Sequence, residues 1–588
     1  MKSIRRQIAE EVCKVFAAHG LDESYAKVSV SNRPDLCDYQ CNGAMAAAKV
    51  LHKAPIAIAE EIVASLADCP LLEEAEAVKP GFINLTVAKD LLVSSLEKMD
   101  HEEQLGYEKT SAPKTVIMDY GGPNVAKPLH VGHLRAAIIG ESLKRIWRFV
   151  GENVISDIHL GDWGLQMGLI VTELAGRQPD LVYFDEDYTG EYPKEAPFTI
   201  SELEEIYPTA SAKSKEDKDY YSRALAATKE MQDGRRGYQA LLSHIMNVSV
   251  TDLKKNYDRL SVSFDLWKGE ADAAEYIPGM VEQMKADGFA YVSEGALVVD
   301  VAEEGDTKEI PPCMILKSDG AALYDTTDLA TLVWRERDYH PDSVIYVVDK
   351  RQEMHFVQVF RCAKKTGIVP QETELYFLGF GTMNGKDGKP FKTREGGVMR
   401  LSELISDIND KMYEKIIENQ TMTEEEARQT AEIVGLAAIK YGDLSNQPSK
   451  DYVFDVDRFT SFEGNTGPYI LYSIVRIGSI LRKYHEAGGD ETAYAIRTPE
   501  NDSERDLMLQ TVRFSEAIDG AYREYAPNRL CAYIYELCNA FNHFYHETRI
   551  LAIEDEEKKG SYVRLLSLVR DVLLTSIDLL GFSAPEKM

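Results

Sequence analysis

The stretch from Gly121 to Trp147, GGPNVAKPLHVGHLRAAIIGESLKRIW, limits the possible folds of this 588-residue chain more than any other. A short apolar run, TVIM at 115–118, precedes it and is typical of a buried strand. The glycines and proline at 121–123 then end any regular element. Apolar residues follow at helical spacing as far as Trp147, and Gly151 is suited to end that helix. The sequence therefore predicts a strand that leads directly into a helix.

Two histidines, His130 and His133, lie at this junction with Gly132 between them. A helix N-terminus offers free N–H groups and a positive dipole end, which together favour phosphate. Gly132 has no side chain, so a ligand can approach the backbone closely. Both imidazoles can donate hydrogen bonds to phosphate oxygens without acting as nucleophiles. The motif favours a nucleotide site, although two surface histidines at a helix start would fit the same four letters.

The region from 111 to 400 alternates strand-like and helix-like patterns. The apolar, β-branched runs lie at 115–118, 153–158, 296–300, 344–349 and 375–380. Such alternation predicts an α/β fold with a mostly parallel, doubly wound, Rossmann-like sheet. Ligands of such sheets bind beyond the carboxyl ends of the strands. A charged, tyrosine-rich and helical segment at about 177–260 interrupts the pattern and is predicted to be an insertion.

Three further regions complete the predicted domain organisation. Residues 1–110 are predicted to form a small α+β add-on domain, with a helix near the start and a strand at Gly81–Leu85. Strand patterns disappear after about residue 400, and helical periodicity dominates from there. We therefore expect a helical linker at 401–440 and an all-α C-terminal domain at 441–588.

The composition gives weaker evidence about binding partners than the motif does. A net charge of −31 argues against nucleic acid, because phosphate contacts need lysine and arginine, but a global sum does not exclude a local basic patch. No apolar run approaches the roughly 20 residues of a membrane span. The start, MKSIRRQIAEEVCKVF, predicts an amphipathic helix and not a signal peptide. Eight scattered cysteines, without a second pair at zinc-site spacing, predict free thiols in a cytoplasmic protein.

A second segment, GKDGKPFKTR at 385–394, has the glycines and basic residues of a phosphate-binding loop. It is not a P-loop, because Pro390 follows Gly388-Lys389 where that motif has serine or threonine. A solvated basic turn would fit the same residues.

Together, HVGH at 130–133 and KPFKT at 389–393 resemble the two signatures of the class I aminoacyl-tRNA synthetases, HIGH and KMSKS. The first differs only by valine for isoleucine. The second differs at three of five positions but keeps both lysines, Lys389 and Lys392.

Within that class the chain resembles the arginyl-tRNA synthetases over its whole length. The similar segments are DYQCN (38–42), GFIN (81–84), PNVAKPLHVGHLR (123–135), HLGDWGLQMG (159–168), GKPFKTREGG (388–397), GNTGPYILYSIVRIGSI (464–480), YIYELCNAFNHFY (533–545) and LGFSAPEKM (580–588). The first two resemble that family's N-terminal add-on domain, and the last three resemble its helical anticodon-binding domain. Leu471 is a small departure, since the family often has glutamine there.

The resemblance implies arginine–tRNA ligase activity. L-Arginine would react with ATP to give arginyl-adenylate and pyrophosphate, and the arginyl group would pass to the terminal adenosine of tRNA(Arg). The resemblance also implies Mg²⁺ accompanying ATP, a tRNA that must bind before the first step, a cytoplasmic monomer and no membrane partner.

The resemblance also assigns roles to individual residues. The implied ATP-binding residues are His130, Gly132, His133, His355, Lys389 and Lys392, and Lys127 would share the catalytic work of the two histidines and two lysines. The implied arginine pocket consists of Asn124, Glu270, Tyr324, Asp328 and Gln352. Carboxylates suit it, because guanidinium pairs with them in a planar, bidentate way. The implied tRNA-binding residues are Phe82, Asn84, Arg458, Tyr469, Arg476 and Tyr545, with Tyr472 and Phe544 as further stacking candidates, although aromatics at helical spacing also fit a core.

Two alternatives stay open at this point. Another class I synthetase or nucleotidyltransferase would share the fold, but the acidic pair Glu270 and Asp328 and the lack of a zinc-ligand set disfavour it. A non-catalytic tRNA-binding paralogue is disfavoured because both histidines and both lysines of the signatures are present.

Overall fold

The computed structural model describes residues 2–389, 399–418 and 422–588. Residue contacts divide the chain into two compact units. The central unit comprises Ser111–Thr460 and Leu580–Phe582, and the split unit combines Met1–Thr110 with Ser461–Leu579 and Ser583–Met588. The domain boundaries given above stay predictions.

The N-terminal part of the split unit is α+β. It contains α1 (Ile4–Ala18), β1 (Val28–Val30), β2 (Tyr39–Cys41), α2 (Gly43–Leu51), α3 (Pro55–Leu66), β3 (Leu72–Val78), β4 (Phe82–Val87) and α4 (Lys89–His101). The strands form an antiparallel sheet in the order β1-β2-β4-β3. Helix α1 begins where the Ser3 hydroxyl accepts the Arg6 N–H, and it buries one apolar stripe against this sheet's core.

The central unit carries the predicted α/β fold. In chain order it contains β5 (Thr115–Tyr120), α5 (Leu134–Val150), β6 (Asn153–Asp157), α6 (Leu165–Arg177), α7 (Ile200–Glu216), α8 (Lys218–Gln232), α9 (Arg236–Arg259), α10 (Glu270–Ala273), α11 (Ile277–Ala286), β7 (Ala290–Ser293), β8 (Ala296–Val299), β9 (Cys313–Leu316), α12 (Tyr324–Tyr339), β10 (Ser343–Asp349), α13 (Glu353–Lys365), β11 (Glu374–Phe380), β12 (Met383–Asn384), α14 (Leu401–Ile417), α15 (Glu424–Leu444), β13 (Tyr452–Val453) and α16 (Val456–Phe459). Helices α7–α9 lie within the segment predicted to be an insertion.

The main sheet is parallel, with strand order β11-β10-β5-β6. It confirms the predicted doubly wound fold. From β5 the chain goes to β6 on one side, and it later returns through β10 to β11 on the other side. The connections therefore diverge between β5 and β10. In open α/β sheets, the crevice beyond the carboxyl ends at such a point is where ligands bind.

The predicted strand at 296–300 does not belong to this sheet. It forms β8 of a separate three-stranded antiparallel sheet, β7-β8-β9. The reason is the two-residue turn between β7 and β8, in which Glu294 and Gly295 both have positive φ, 52° and 85°. So short a turn forces an antiparallel hairpin, because a parallel pair needs a long crossover.

The C-terminal part of the split unit is helical. It contains α17 (Gly467–Glu486), α18 (Asp502–Val512), α19 (Phe514–Arg523), α20 (Pro527–Glu547) and α21 (Glu556–Leu579). Within the split unit these helices contact the N-terminal part through buried polar pairs. Asp38 pairs with Arg505 at 2.6 Å, and the Tyr39 hydroxyl donates to Glu516 at 2.9 Å. The two ends of the chain thus fold against each other.

Two predictions about the whole chain are also tested by the fold. All eight cysteines are free, as predicted, and six of them are buried. Over the described ranges, no helix has both the length and the apolar composition needed to cross a bilayer.

Candidate active site

The HVGH segment lies at the predicted junction of strand and helix. Strand β5 leads through a turn into a short 3₁₀-helix, Val131–His133, and then into α5. Gly121 has φ +74°, in the left-handed region that favours glycine. A Cβ on Gly122 would lie 2.3 Å and 2.4 Å from the carbonyl oxygens of His159 and Ile158. Only glycine lets the loop after β5 approach the loop after β6 this closely.

The two histidines are neutral hydrogen-bond donors. Nδ1 of His130 accepts the Gly132 N–H, and Nδ1 of His133 accepts the His130 N–H, each at 3.1 Å. Because both Nδ1 atoms accept, each ring carries its proton on Nε2. Burial, and then the charge of Lys127, lower the pKa of His130; burial, and then His130, lower the pKa of His133 to about 3. At neutral pH the pair can therefore offer two Nε2–H groups to phosphate oxygens.

Of the two signature lysines, the structure describes Lys389 only. Lys389 is exposed in a turn after β12, and Lys392 lies outside the described residues. The chain is described again from Met399, whose carbonyl accepts the Val131 N–H at 3.1 Å. Lys386, a further basic residue of the segment at 385–394, pairs with Asp455 and Asp457 at 3.1 Å and 3.2 Å. Those pairs hold the chain just before Lys389.

A buried arginine that the sequence analysis missed links these segments. Arg135, 2% exposed, donates to Asp443 at 3.0 Å and to the carbonyls of Gly381 and Lys450 at 2.6 Å and 3.1 Å. It therefore joins the start of α5 to the chain that leads from β11 to Lys389. Its place directly after HVGH-Leu was visible in the sequence, but its partners are far away along the chain.

An acidic pocket lies at the same carboxyl edge of the sheet. Tyr324 and Asp328, four residues apart, share one face of α12, and Tyr324 is 66% exposed. Glu270 begins α10, where its N–H donates to the Leu160 carbonyl at 3.0 Å. The carboxylates of Glu270, Asp328 and Asp162 are close enough to affect one another's charge. Like charges gathered in this way suit a cationic ligand.

The pKa values of this pocket reflect burial and crowding. Burial raises the pKa of Glu270 to about 7, with His159 opposing the shift and Asp328 and Asp162 adding to it. Burial likewise raises the pKa of Asp162 to about 6, although Asp162 accepts the Ala271 N–H. Groups with such shifts often lie at functional sites.

His355, which the resemblance places near ATP, lies between two carboxylates of α12. Its Nε2 lies 2.5 Å from Asp328 Oδ2 and its Nδ1 lies 2.7 Å from Asp325 Oδ1. Burial lowers its pKa, but the hydrogen bonds to Asp325 and then Asp328 outweigh burial and raise the pKa to about 9. The structure thus assigns the side chain of His355 to Asp328.

The remaining predicted pocket residues lie on nearby loops. Asn124 is exposed and pairs with Gly161 between the loops after β5 and β6. Lys127 Nζ lies 4.6 Å from the ring centroid of Tyr207, a residue of α7 that the sequence analysis did not single out. Gln352 is exposed one turn before His355 at the start of α13.

A buried ion cluster lies between α12 and the ends of β5 and β6. The Arg335 guanidinium of α12 pairs with Asp119 and Asp157, at the ends of β5 and β6, at 2.6 Å and 2.7 Å. Asp119, Asp157 and His159 could by spacing surround a metal ion, but Arg335 already supplies the cation. The cluster fixes α12, and hence Asp328, on the sheet.

Most of the predicted tRNA-binding residues lie in the split unit. Arg476 of α17 contacts the faces of Tyr472 and Tyr545, at 4.6 Å and 5.3 Å from their centroids, and donates to Asn542 at 2.7 Å. Both tyrosines are exposed. The Tyr469 hydroxyl, which donates to Asn539 at 2.8 Å, also accepts from Asn542. These residues form one cluster, which we call the aromatic patch.

Other predicted tRNA-binding residues lie elsewhere. Phe544 is fully buried and belongs to the core. Asn84 is 5% exposed and accepts the Gln40 amide, whereas Phe82 is half-buried at the start of β4. Arg458 is exposed on α16 of the central unit. The structure therefore brings together Tyr469, Tyr472, Arg476 and Tyr545 only.

Comparisons with known proteins agree with this geometry. Family models match residues 2–87 (arginyl tRNA synthetase N terminal domain), 95–456 (tRNA synthetases class I (R), catalytic domain) and 470–588 (DALR anticodon binding domain). The arginine–tRNA ligases of Agathobacter rectalis and Alkaliphilus oremlandii are 64% and 56% identical to the chain, over 100% of both proteins in each case.

Solved structures share the fold. The arginyl-tRNA synthetase of Plasmodium falciparum has a TM-score of 0.84 at 24% identity and covers 100% of both chains. That of Thermus thermophilus has a TM-score of 0.79 at 23% identity and covers 99% of this chain and 100% of its own. The catalytic-domain match and the two full-length relatives lead to one conclusion: the chain belongs to the arginyl-tRNA synthetases, class I enzymes that ligate arginine to tRNA.

Proposed function

We propose that the crevice beyond β5 and β10 binds arginine and ATP side by side and joins them as arginyl-adenylate. One observation carries the proposal: a pocket of carboxylates on α10 and α12 and a pair of neutral Nε2–H donors lie at the same edge of one parallel sheet. The first group of side chains suits a guanidinium, and the second suits phosphate.

In this proposal the arginine pocket holds the substrate at both ends. Asp328 and Glu270 pair with the guanidinium, and Tyr324 packs or hydrogen-bonds beside it. Asn124 and Gln352 contact the amino-acid end. The acidic pair excludes apolar amino acids, because a buried, unpaired carboxylate is costly.

ATP lies against HVGH. His130 and His133 donate to phosphate oxygens, Gly132 allows close approach, and Lys127, Lys389 and Lys392 neutralise charge. The arginine carboxylate attacks the α-phosphorus, the bond to the bridging oxygen breaks, and pyrophosphate leaves. No protein nucleophile is required, so catalysis consists of placement and charge stabilisation. Mg²⁺ would be held largely by the phosphates and water and would help to neutralise the phosphate charge, because the HVGH rings present N–H donors that do not ligate a cation.

The second step and the tRNA contacts complete the proposal. The 2′-hydroxyl of the terminal adenosine attacks the adenylate carbonyl and releases AMP. The aromatic patch reads splayed anticodon bases by stacking, since loop bases are recognised in this way. Arg458 contacts phosphate, and the half-buried Phe82 contacts the tRNA elbow, whereas the buried Asn84 holds Gln40 and is not available to the tRNA. We also propose that the enzyme is cytoplasmic and monomeric.

The decisive test is ATP–pyrophosphate exchange with each amino acid, with and without total tRNA. We expect exchange with arginine alone, and only when tRNA is added. Exchange with another amino acid would keep the fold but overturn the pocket. No exchange by protein that still binds tRNA would overturn the catalytic assignment.

A further inference from the structure

The imidazole of His355 lies between two carboxylates of one helix. Nδ1 contacts Asp325 at 2.7 Å and Nε2 contacts Asp328 at 2.5 Å. An ionised carboxylate only accepts hydrogen bonds, so both ring nitrogens must donate. The ring is therefore an imidazolium, and both of its N–H bonds point at α12. It is 24% exposed, so water screens the triad only partly.

The substrate guanidinium needs the carboxylate that His355 already uses. Bidentate pairing with guanidinium takes both oxygens of a carboxylate in one plane. Asp328 Oδ2 already accepts from Nε2 of His355, so a guanidinium that takes both oxygens must share Oδ2 with the imidazolium. A guanidinium and an imidazolium on the same half-buried carboxylate repel each other.

We propose that His355 is a proton-releasing competitor of the substrate: it holds Asp328 as an imidazolium and gives up its Nε2 proton to solvent when arginine takes that carboxylate. The inference rests on the proposed arginine pocket. In the exchange, the N–H···O contact to Asp328 Oδ2 breaks, two guanidinium N–H···O contacts form, and one proton passes to water. Neutral His355 keeps Nδ1–H on Asp325. His355 is thus a specificity-determining residue that a weakly pairing cation does not displace.

The surrounding charges favour this exchange at mildly alkaline pH. Asp325 and Asp328 face the ring from α12, with Tyr324 on the same helix, Glu270 on α10 and the Cys313 thiol on β9 near the two carboxylates. The pKa of His355 is raised to about 9 by the two aspartates, so it is protonated at pH 8. Glu270, with a pKa raised to about 7 by burial, is already mostly ionised at pH 8. Proton release at pH 8 therefore reports on His355.

The test is isothermal titration calorimetry of L-arginine into the full chain at pH 8, in phosphate and in Tris. These buffers differ in ionisation enthalpy, so the difference in binding heat counts protons. We expect wild type to release between half a proton and one proton more than His355→Gln, which keeps one N–H donor but cannot titrate. The α-amino group of arginine titrates equally in both proteins, so the difference isolates the histidine. His340→Gln, at the exposed end of α12, is the matched control and should behave as wild type.

Each other outcome has a distinct meaning. Equal proton release by wild type and His355→Gln would overturn the inference. If Asp328→Ala binds arginine as wild type does, the pocket assignment itself fails, and the inference fails with it. Should His355→Gln not fold, His355→Asn, which also keeps an N–H donor and cannot titrate, takes its place in the same comparison, and equal release by wild type and that variant would overturn the inference.

Discussion

At the scale of single residues, the two pocket carboxylates differ because their surroundings differ. Asp328 has a cationic partner in His355, whereas burial and neighbouring acids raise the pKa of Glu270 to about 7. A guanidinium would compensate both groups. An ammonium group could not pair with both carboxylates equally well, because it lacks the planar fork of donors.

Replacing Asp328 by alanine removes the proposed guanidinium partner. A hydrogen bond to a charged group contributes about 3 kcal/mol at most, so we expect the KM for arginine to rise about 100-fold, with the KM for ATP little changed. Steady-state ATP–pyrophosphate exchange in the presence of tRNA measures both constants. Asp338→Asn, near the other end of α12, is the control. An unaltered KM for arginine would remove Asp328 from the pocket.

The raised pKa of Glu270 predicts a pH dependence of arginine binding. Below pH 7 the group is increasingly protonated and loses its attraction for guanidinium. This titration by itself makes the KM for arginine rise about fivefold between pH 7 and pH 6, in addition to the slope that proton release from His355 gives. Measuring the KM for arginine across this range tests whether it rises as the pH falls. Glu270→Gln should weaken binding and remove the fivefold contribution, which leaves a shallower profile; a profile as steep as that of wild type would assign the titration to another group.

At the scale of elements, the site depends on how loops approach each other. The loop after β5 passes the loop after β6 so closely that Gly122 has no room for a Cβ. Arg135 joins the start of α5 to the chain after β11, and Arg335 fixes α12 on β5 and β6. These long-range pairs position HVGH, the chain after β11 and the acidic pocket relative to the sheet.

The close approach at Gly122 gives a prediction with a matched control. Alanine there would place a methyl group 2.3 Å from the His159 carbonyl oxygen, so one loop must move. We expect a destabilisation of about 2 kcal/mol and a fall in exchange rate of at least tenfold. Gly176→Ala on α6 adds a methyl group with nothing within 4 Å and should be neutral or stabilising. Urea unfolding and exchange rates test both variants; equal behaviour would contradict the steric argument.

At the scale of the whole molecule, both ends of the chain build one unit. Asp38, 4% exposed, accepts a two-pronged contact from Arg505 and also the Val87 N–H. Arg564 pairs with Asp100 at 2.6 Å in the same unit. The sum of charges, −31, says little about such a structure, since Arg476 and its tyrosines still form a cationic, aromatic surface.

Asp38→Asn should loosen the split unit. The substitution leaves the Arg505 guanidinium without its carboxylate partner. For a buried pair this lowers the free energy of unfolding by about 3 kcal/mol. We expect the split unit to unfold at a lower urea concentration. Hydrogen exchange of the backbone amides in β2 and α18 measures this unfolding. Asp35→Asn, in an exposed pair with Arg33, is the control and should leave unfolding unchanged. Identical curves for the two variants would show that the buried pair is unimportant.

Sequence alone determined everything that depends on neighbours along the chain. It placed HVGH between a strand and a helix, put Tyr324 and Asp328 on one helical face, and predicted α1, because periodicity and turn residues act locally. It could not assign His355 to Asp328, nor find Arg135 and Arg335 as the links beneath the site. Those outcomes depend on contacts between residues distant in sequence, which form only when the packed core brings helices and strands together and removes the charged groups from water.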